Sequence, residues 1–232
     1  MQMKKVMTFF VTVFILVFGT SAIAGSTDGV VPYVGADAKW YHMPFKKGFG
    51  DNLTESNYPQ ANGFLGIKLN NFVGVEAGYE VAASKTRNAT ESDGGTYFGV
   101  AIPSGTGALN AVTETKIHGF NVNLVGFLPV SEEYALDLIG SIGLARLKLD
   151  ITNNLPSLAV QEEKFSQEKW VPRLSLGLQH MLAKQFGVRA TVGWEKTSSF
   201  NNLVPIDNPG STLIAKVKDS TSVGLGLFYN FK

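Results

Sequence analysis

Three histidines, His42, His118 and His180, are the side chains that could serve as a general base near neutral pH without a strong pKa shift. A hydrolase or acyltransferase needs such a base beside a nucleophile, usually a serine. None of the three has a serine two residues further along the chain, and no two have the spacing of a metal site. Packing at an interface is the better interpretation, so we expect no enzyme, metal or cofactor.

Composition excludes further classes of protein. The chain has 232 residues and no cysteine, which excludes thiol nucleophiles, disulfide frameworks and cysteine-ligated metals. Lys+Arg is 20 and Asp+Glu is 19, a net charge of +1 without the basic excess of a nucleic-acid-binding protein. Hydrophobic residues make up 44% and charged residues 17%, with 25 glycines and 16 phenylalanines. These values indicate a folded chain that is rich in glycine and aromatic residues.

The first 24 residues have the features of a secretory signal peptide. Lys4 and Lys5 precede the apolar run Val6–Phe18, and Ala22–Ala24 supplies the small residues that a signal peptidase recognises. We expect cleavage after Ala24, which would leave residues 25–232 as a single domain. No later run reaches the ~18 apolar residues of a membrane-spanning helix. An exported chain of this kind that is embedded in a membrane must be a barrel.

Eight later stretches alternate apolar residues with polar or small ones, the pattern of β-strands. They are Tyr33–Tyr41, Phe64–Leu69, Val73–Val81, Phe120–Leu128, Leu136–Leu144, Arg173–Gln179, Val188–Trp194 and Ser222–Phe231. The connections alternate in length. The short turns are Asn70–Phe72, Pro129–Glu133 and Met181–Gln185, and the long loops are Met43–Gln60, Ser84–Lys116, Leu149–Lys169 and Lys196–Thr212. This rhythm predicts an all-β fold, an eight-stranded antiparallel up-and-down transmembrane barrel with both termini at the short-turn, periplasmic end.

Glycine decides which face of the strands is outside. A soluble barrel would turn the polar face to water, where each strand glycine costs roughly 0.5–1 kcal/mol relative to alanine without benefit. A narrow eight-stranded lumen needs small residues, because it has room only for side chains to fill it. The polar face contains Gly35, Gly66, Gly74, Gly78, Gly143, Gly177, Gly193, Gly224 and Gly226. Aromatic residues near strand ends would form interfacial girdles: Trp40, Phe72, Tyr134, Trp194, Tyr229 and Phe231.

The hairpin Gly63–Glu80 resembles the second hairpin of the OmpA transmembrane domain family, with its N-x-x-x-G-x-E-x-G-Y core at Asn70–Tyr79. Pro32–Ala36 is similar to the first strand of that family and Ser222–Phe231 to its last. The resemblance implies an outer membrane barrel without a peptidoglycan-binding domain, surrounded by outer membrane lipids. It also implies an aromatic C-terminal strand that the outer membrane assembly machinery recognises, although Lys232 follows the phenylalanine here.

In that family, acids and bases pair across the lumen and can act as a gate. Glu76 and Arg189 match an interior glutamate and arginine by motif position. The resemblance fails at Val125, Gln179 and Asp37, which stand where the family has lysine, glutamate and lysine. A static network that fills the lumen is therefore the alternative to a gate. The candidate lumen residues are Asp37, Lys39, Lys68, Glu76, Glu80, Asp137, Arg173 and Arg189.

The resemblance and the loops leave two main function classes. One is a structural barrel that supports the envelope and displays loops for interaction, and the other is a narrow pore for ions or small solutes. An outer membrane lipid-modifying enzyme is a remote alternative. The longest connection, Ser84–Lys116, contains the apolar segment Tyr97–Ile102. That segment would either contact an extracellular partner or extend the barrel wall as a short strand.

Overall fold

The computed structural model describes residues 30–231 apart from 92–95, 99, 102–103, 106, 108, 132, 155–161, 201–202 and 207–212. The predicted signal peptide therefore lies outside the described residues. The strands are β1 (Val31–His42), β2 (Asn57–Lys68), β3 (Val73–Ala82), β4 (Lys85–Glu91), β5 (Thr96–Tyr97), β6 (Val100–Ala101), β7 (Leu109–Ser131), β8 (Leu136–Asn154), β9 (Glu163–Met181), β10 (Phe186–Glu195) and β11 (Ser220–Asn230). A short 3-10 helix, Thr197–Ser199, follows β10.

Eight of these strands close into one antiparallel ring. Strands β1, β2 and β3 are neighbours, β3 pairs with β7, strands β7 to β11 are paired in order, and β11 pairs with β1. Closure gives every strand of the ring a partner on both sides, as a lipid environment requires of backbone polar groups. The predicted up-and-down barrel is confirmed. Within the described residues no helix is long and apolar enough to cross a membrane.

Three strands are much longer than predicted. Strand β7 has 23 residues, and β8 and β9 have 19 each, whereas β3 and β10 have 10. The predicted loops Ser84–Lys116 and Leu149–Lys169 are wrong over much of their length, because β4, β7, β8 and β9 continue into them. Strand β4 follows β3 after two residues and pairs with the start of β7, so it extends the wall. The predicted loop Met43–Gln60 also ends early, at Asn57.

Lipid-facing and lumen-facing residues alternate as predicted in the part of the barrel near the short turns. Large apolar side chains there point outward and are exposed: Leu65, Ile67, Val75, Val122, Leu124, Leu176, Leu178, Val192, Val223, Leu225 and Leu227. Lumen glycines make room for neighbouring side chains. A Cβ on Gly66 would collide with the ring of Tyr33. The fit supports the predicted reason for glycine in these strands.

Aromatic side chains bound this apolar band at both ends. Tyr79 of β3, Phe120 of β7 and Trp170 of β9 lie in one register row, with Arg146 of β8 between the last two, and the rings of Tyr79 and Phe120 are 4.8 Å apart. We call this row the belt. At the short-turn end, the rings of Tyr229 and Phe231 lie 5.3 Å apart and both residues are exposed, as interfacial aromatics are.

Beyond the belt, the polarity of the wall inverts. The inward residues there form an apolar cluster, which we call the cap core: Tyr41, Met43, Phe45, Leu53, Tyr58, Ala82, Tyr97, Phe98, Ala111, Ile117, Ala145, Leu147, Leu149, Ile151, Phe165, Val171, Phe200, Leu203, Ala215 and Val217. Outward residues pair as ions, with Lys148 Nζ 3.3 Å from Asp150 Oδ2 and Lys116 Nζ 3.1 Å from Glu114 Oε2. This is the pattern of a protein in water.

The segment Tyr97–Ile102 is built into this cap. Strands β5 and β6 pair with each other, and among the described residues they do not pair with the barrel wall. Tyr97 is buried and Phe98 is fully buried, with its ring 4.9 Å from that of Phe165. Tyr97 and Phe98 thus contribute to packing and do not form an exposed apolar patch. Ile102 lies outside the described residues.

The inversion predicts opposite responses to a charge on the two sides of the belt. Leu225 points outward on β11 and is 69% exposed, between Ala38 and Ala190 of the adjacent strands. Leu225→Arg should lower the free energy of unfolding by about 2–4 kcal/mol in urea titrations of vesicle-embedded protein, because it places a cation in hydrocarbon. Thr86→Arg, outward on β4 beyond the belt, should change it by less than ~0.5 kcal/mol. Equal costs would contradict this placement of the membrane band.

Candidate functional site in the barrel lumen

A buried guanidinium group joins three strands across the lumen. Arg189 of β10 donates from Nε and Nη2 to the two carboxylate oxygens of Asp37 on β1, at 2.8 and 2.7 Å. Its Nη1 donates to Glu76 Oε1 on β3 at 2.7 Å, and the hydroxyl of Tyr33 donates to the same oxygen at 3.0 Å. All four side chains are buried. We call them the Arg189 cluster.

Local sequence creates the space for this cluster. Arg189 is paired with Gly226 of β11, which in turn is paired with Asp37 of β1. A Cβ on Gly226 would overlap Asp37 Oδ1, so glycine leaves the room that this carboxylate occupies in the lumen. The guanidinium carbon of Arg189 lies 3.8 Å from the centre of the Phe64 ring, a cation–π contact on its remaining face. The arginine is therefore held from three directions.

A second group of charges lies nearer the cap core. Arg173 of β9 contacts both oxygens of Glu80 on β3, at 2.9 and 3.0 Å, and also contacts Glu195 at the end of β10. Lys39 Nζ is 3.7 Å from Glu80 Oε2, and the Tyr41 hydroxyl donates to Glu195 Oε2 at 2.8 Å. We call these five residues the Arg173 cluster. Two acids and two bases make it internally neutral.

Asparagines connect the two clusters. Asn62 Nδ2 donates to Asp37 Oδ2 at 3.0 Å, and Asn121 Nδ2 donates to Asn62 Oδ1 at 3.0 Å. Asn121 Nδ2 also lies 3.4 Å from Glu80 Oε2, so one chain of hydrogen bonds links both clusters into a single polar layer. The cavity within this layer has a volume of about 60 Å³.

The predicted lumen residues divide into three groups. Asp37, Glu76 and Arg189 meet in the Arg189 cluster, and Lys39, Glu80 and Arg173 meet in the Arg173 cluster. Lys68 and Asp137 belong to neither cluster. Lys68 Nζ lies 4.2 Å from the centre of the Phe127 ring, and Asp137 Oδ2 accepts a hydrogen bond from Gln179 Nε2 at 3.4 Å.

Sequence reasoning missed several members of the layer. Glu195 has the same parity as Arg189 along β10, but it lies one residue beyond the predicted end of that strand at Trp194. The parity of Glu195 therefore indicates a lumen position, but the predicted strand ended one residue too early to include it. The hydrogen-bonding roles of Tyr33 and Asn62 have no counterpart in a pattern of charges alone.

An apolar layer closes the lumen on the side of the short turns. It contains Tyr33, Phe64, Val125, Phe127, Ile139 and Phe228, each with at most 4% of its surface exposed. Val125, which stands where the related family has a lysine, is part of this seal. The polar layer thus lies between this turn-side seal and the cap core.

The histidines do not enter the polar layer. His42, His118 and His180 occupy outward-facing positions on β1, β7 and β9. His42 Nδ1 is 2.8 Å from Asn57 Oδ1 on the neighbouring strand. In the part of the chain that the structure describes, no group of three or more histidine, aspartate or glutamate residues could hold a metal ion.

A closed antiparallel barrel with an apolar outer band and a polar interior defines the class of outer membrane β-barrel proteins. The chain belongs to the family of the outer membrane protein beta-barrel domain, whose family model matches residues 10–231. Members of this family are structural or porin-like barrels of the outer membrane. The protein is therefore an integral outer membrane protein, as the sequence resemblance implied.

Solved structures share this fold at low sequence identity. Neisserial surface protein A superposes with a TM-score of 0.55 at 11% identity, over 88% of this chain and 100% of that chain. A major outer membrane protein from Thermus thermophilus gives 0.54 at 13% identity, over the same shares. No curated protein sequence matches the chain significantly. At these identities, the likeness shows the fold alone.

The geometry ranks three substitutions in and around the Arg189 cluster. Arg189→Leu should lower the free energy of unfolding by about 3–5 kcal/mol, because it leaves two buried carboxylates without their cation. Glu76→Gln should cost clearly less, since Asp37 still holds the guanidinium through two hydrogen bonds. Lys148→Leu, in an exposed pair beyond the belt, should cost at most ~1 kcal/mol. Urea unfolding of the refolded barrel measures all three, and equal effects of Arg189→Leu and Glu76→Gln would contradict the ranking.

Proposed function

We propose that this protein is a closed structural barrel that anchors a folded cap on the outer surface of the cell, with both termini in the periplasm. The observation that carries the proposal is the three-layered lumen. The turn-side seal, the polar layer and the cap core follow one another along the barrel axis, and each consists of buried side chains.

The two ends of the barrel support this orientation. Outer membrane barrels carry short turns on the periplasmic side and longer loops on the outside. Here β2–β3 and β9–β10 are joined by four residues each, whereas the opposite end carries the cap core and its ion-paired surface. An apolar interior with charges outside is stable only in water, which favours a cap beyond the membrane.

The same layers argue against a pore. An ion would have to pass two seals of buried apolar side chains, and the charged side chains between them are buried and paired with one another. Partner exchange, which the related family implies as a gate, needs a second base for Glu76. Val125 and Gln179 supply none, Lys39 lies beside Glu80, Lys68 lies over the Phe127 ring, and Arg189 already holds both Glu76 and Asp37. The geometry thus favours the static network of the two alternatives.

An interaction role follows from the position of the cap. Long strands β7, β8 and β9 carry it away from the membrane on a rigid wall, where binding surfaces of such proteins lie. The connection 84–116 contributes to this cap through β4, β5 and β6.

Ion conductance tests the closed lumen. Refolded protein in planar bilayers should show no stable conductance steps, and Glu76→Gln should stay closed because both seals remain. The double variant Phe127→Ala and Phe228→Ala should also stay closed, since it opens the turn-side seal and leaves the cap core in place. Conductance of the unmodified protein would overturn the proposal, and steps that appear with Glu76→Gln alone would support a gate.

Packing of Phe98 tests the folded cap. Phe98→Ala removes a fully buried ring from the cap core, and truncations of this kind cost about 3–5 kcal/mol. We expect protease cleavage within residues 84–116, while the membrane-embedded strands stay protected. Tyr97→Phe is the control, because it keeps the ring and loses only the 3.1 Å hydrogen bond to Glu163. A cap that is equally resistant in Phe98→Ala would contradict the cap core.

The Tyr97–Glu163 contact itself should depend on pH. Burial raises the pKa of both groups, with the neighbouring Glu163 carboxylate raising that of Tyr97 further, and the pKa of Glu163 therefore lies above its ordinary value of 4.5. Protonation of Glu163 thus stabilises the cap below about pH 4.5, and this contribution is lost as the pH rises through the raised pKa. Protease digestion of the cap across this pH range, with Glu163→Gln as the control that cannot titrate, measures the effect. Equal pH profiles of the two proteins would contradict it.

A further inference from the structure

Four lysines lie on a two-stranded ribbon at the base of the cap, and we call them the lysine ribbon: Lys46, Lys47, Lys216 and Lys218. The amide of Lys46 donates to the carbonyl of Lys216 at 2.8 Å, and the amide of Lys218 donates to the carbonyl of Pro44 at 2.8 Å. Between these bonds, Phe45 forms an antiparallel bridge with Val217. The two segments leave the barrel next to each other, after β1 and before β11.

Alternation fixes the directions of the side chains. Phe45 and Val217 point into the cap core and are buried. Their neighbours Lys46 and Lys216 therefore point outward, directly opposite each other on the two segments, and Lys218 lies two residues beyond Lys216. Like charges at directly opposed positions destabilise a β-pair. The ribbon keeps this unfavourable arrangement on the outer surface of the protein.

Among the described residues, no carboxylate oxygen lies within 4.0 Å of a ribbon ammonium group. Three other outward lysines of the cap, Lys116, Lys148 and Lys164, each pair with an acid within 4.0 Å, but no such pair among the described residues involves the ribbon. The nearest acids in sequence serve the backbone: Asp51 accepts from the amide of Gly48 at 2.7 Å, and Asp219 accepts from the amide of Ser198 at 3.2 Å. Lys216 Nζ lies instead over the Phe49 ring, 3.9 Å from its centre.

We propose that the lysine ribbon binds saccharides that carry several phosphate or sulfate esters. The inference rests on the proposed function in one respect, that the cap faces the outside of the cell. Several lysine ammonium groups on one surface attract a multivalent anion, and each contact alone is weak, so binding requires several esters on one chain. A phosphorylated glycolipid of the same membrane and a soluble sulfated polysaccharide share this chemistry.

Charge and position favour a saccharide over other polyanions. Lys46 lies only four residues beyond the end of β1, so the ribbon is close to the end of a barrel strand, where the cap is nearest to the glycolipid headgroups of the membrane. Nucleic acid would call for a larger basic surface, whereas the whole chain has a net charge of +1.

The experiment compares two triple variants of the full chain, refolded in nanodiscs, with labelled dextran sulfate and neutral dextran as probes. Lys46→Gln/Lys216→Gln/Lys218→Gln removes three ribbon charges, and Lys116→Gln/Lys148→Gln/Lys164→Gln removes the same charge from paired lysines. We expect the ribbon variant to bind dextran sulfate on the order of tenfold more weakly. The control variant should change affinity less than about twofold, and lysine-to-arginine replacement in the ribbon should preserve binding.

A second arm separates the two sources of the ligand. Vesicles that contain phosphorylated lipopolysaccharide should raise the thermal stability of the unmodified protein more than vesicles with dephosphorylated lipopolysaccharide, and only the ribbon variant should lose the difference. A response in one arm alone identifies the source. Absence of binding in both arms, or equal losses in the two triple variants, would overturn the inference.

Two further outcomes are distinguishable. A barrel that binds through the ribbon but conducts ions would overturn the closed lumen and leave this inference standing, whereas a closed barrel without binding overturns only the inference. If the ribbon triple variant fails to insert, Lys47→Gln and Lys218→Gln, both exposed, replace it in the same comparison.

Discussion

Closure of eight strands into a ring is the constraint on which the other features depend. Lipid leaves no backbone group unpaired, so the strands must close, and eight strands enclose a lumen only wide enough for side chains. Whatever points inward must then fill that space and satisfy its own polar atoms. Arg189 meets both demands, because it fills the lumen while its nitrogens reach carboxylates on two other strands. Gly226 leaves space for the Asp37 carboxylate, and Gly66 leaves space for the Tyr33 ring.

Parity along each strand carried most of the predictable information. Glu76 and Arg189 each lie four residues from a predicted short turn, on strands at opposite sides of the ring, and the structure places their side chains 2.7 Å apart. An ion pair across the lumen can be predicted in this way, because strand parity and the distance from the turn fix where each charge lies. Contacts through asparagine and tyrosine are not, because many polar residues fit the same parity and only the packed structure selects among them.

The predicted ends of strands β7, β8 and β9 were wrong by more than any other feature, and the reason is physical. Alternation continues past the belt in β7, β8 and β9, but the residues that face inward change from polar to apolar. Leu147, Leu149 and Ile151 lie on the inner face, whereas Leu144 on the same strand lies on the outer one. A strand that is predicted from a constant apolar outer face therefore ends too early, at the point where the surroundings change from lipid to water. Arg146, on the parity of Leu144, marks that point in the sequence.

The hydrogen-bonded ladder between β8 and β9 runs from Leu136–His180 to Asn153–Glu163 without a shift in register. One continuous beam thus spans both the membrane and the cap. A ladder without a break has no point at the bilayer surface where the cap could bend separately from the barrel. A lateral force on the cap therefore acts on the whole barrel. A load along the strands acts in shear on many hydrogen bonds at once, the geometry in which a β-ladder resists rupture best. The direction in which the cap points therefore reports the tilt of the barrel in the membrane.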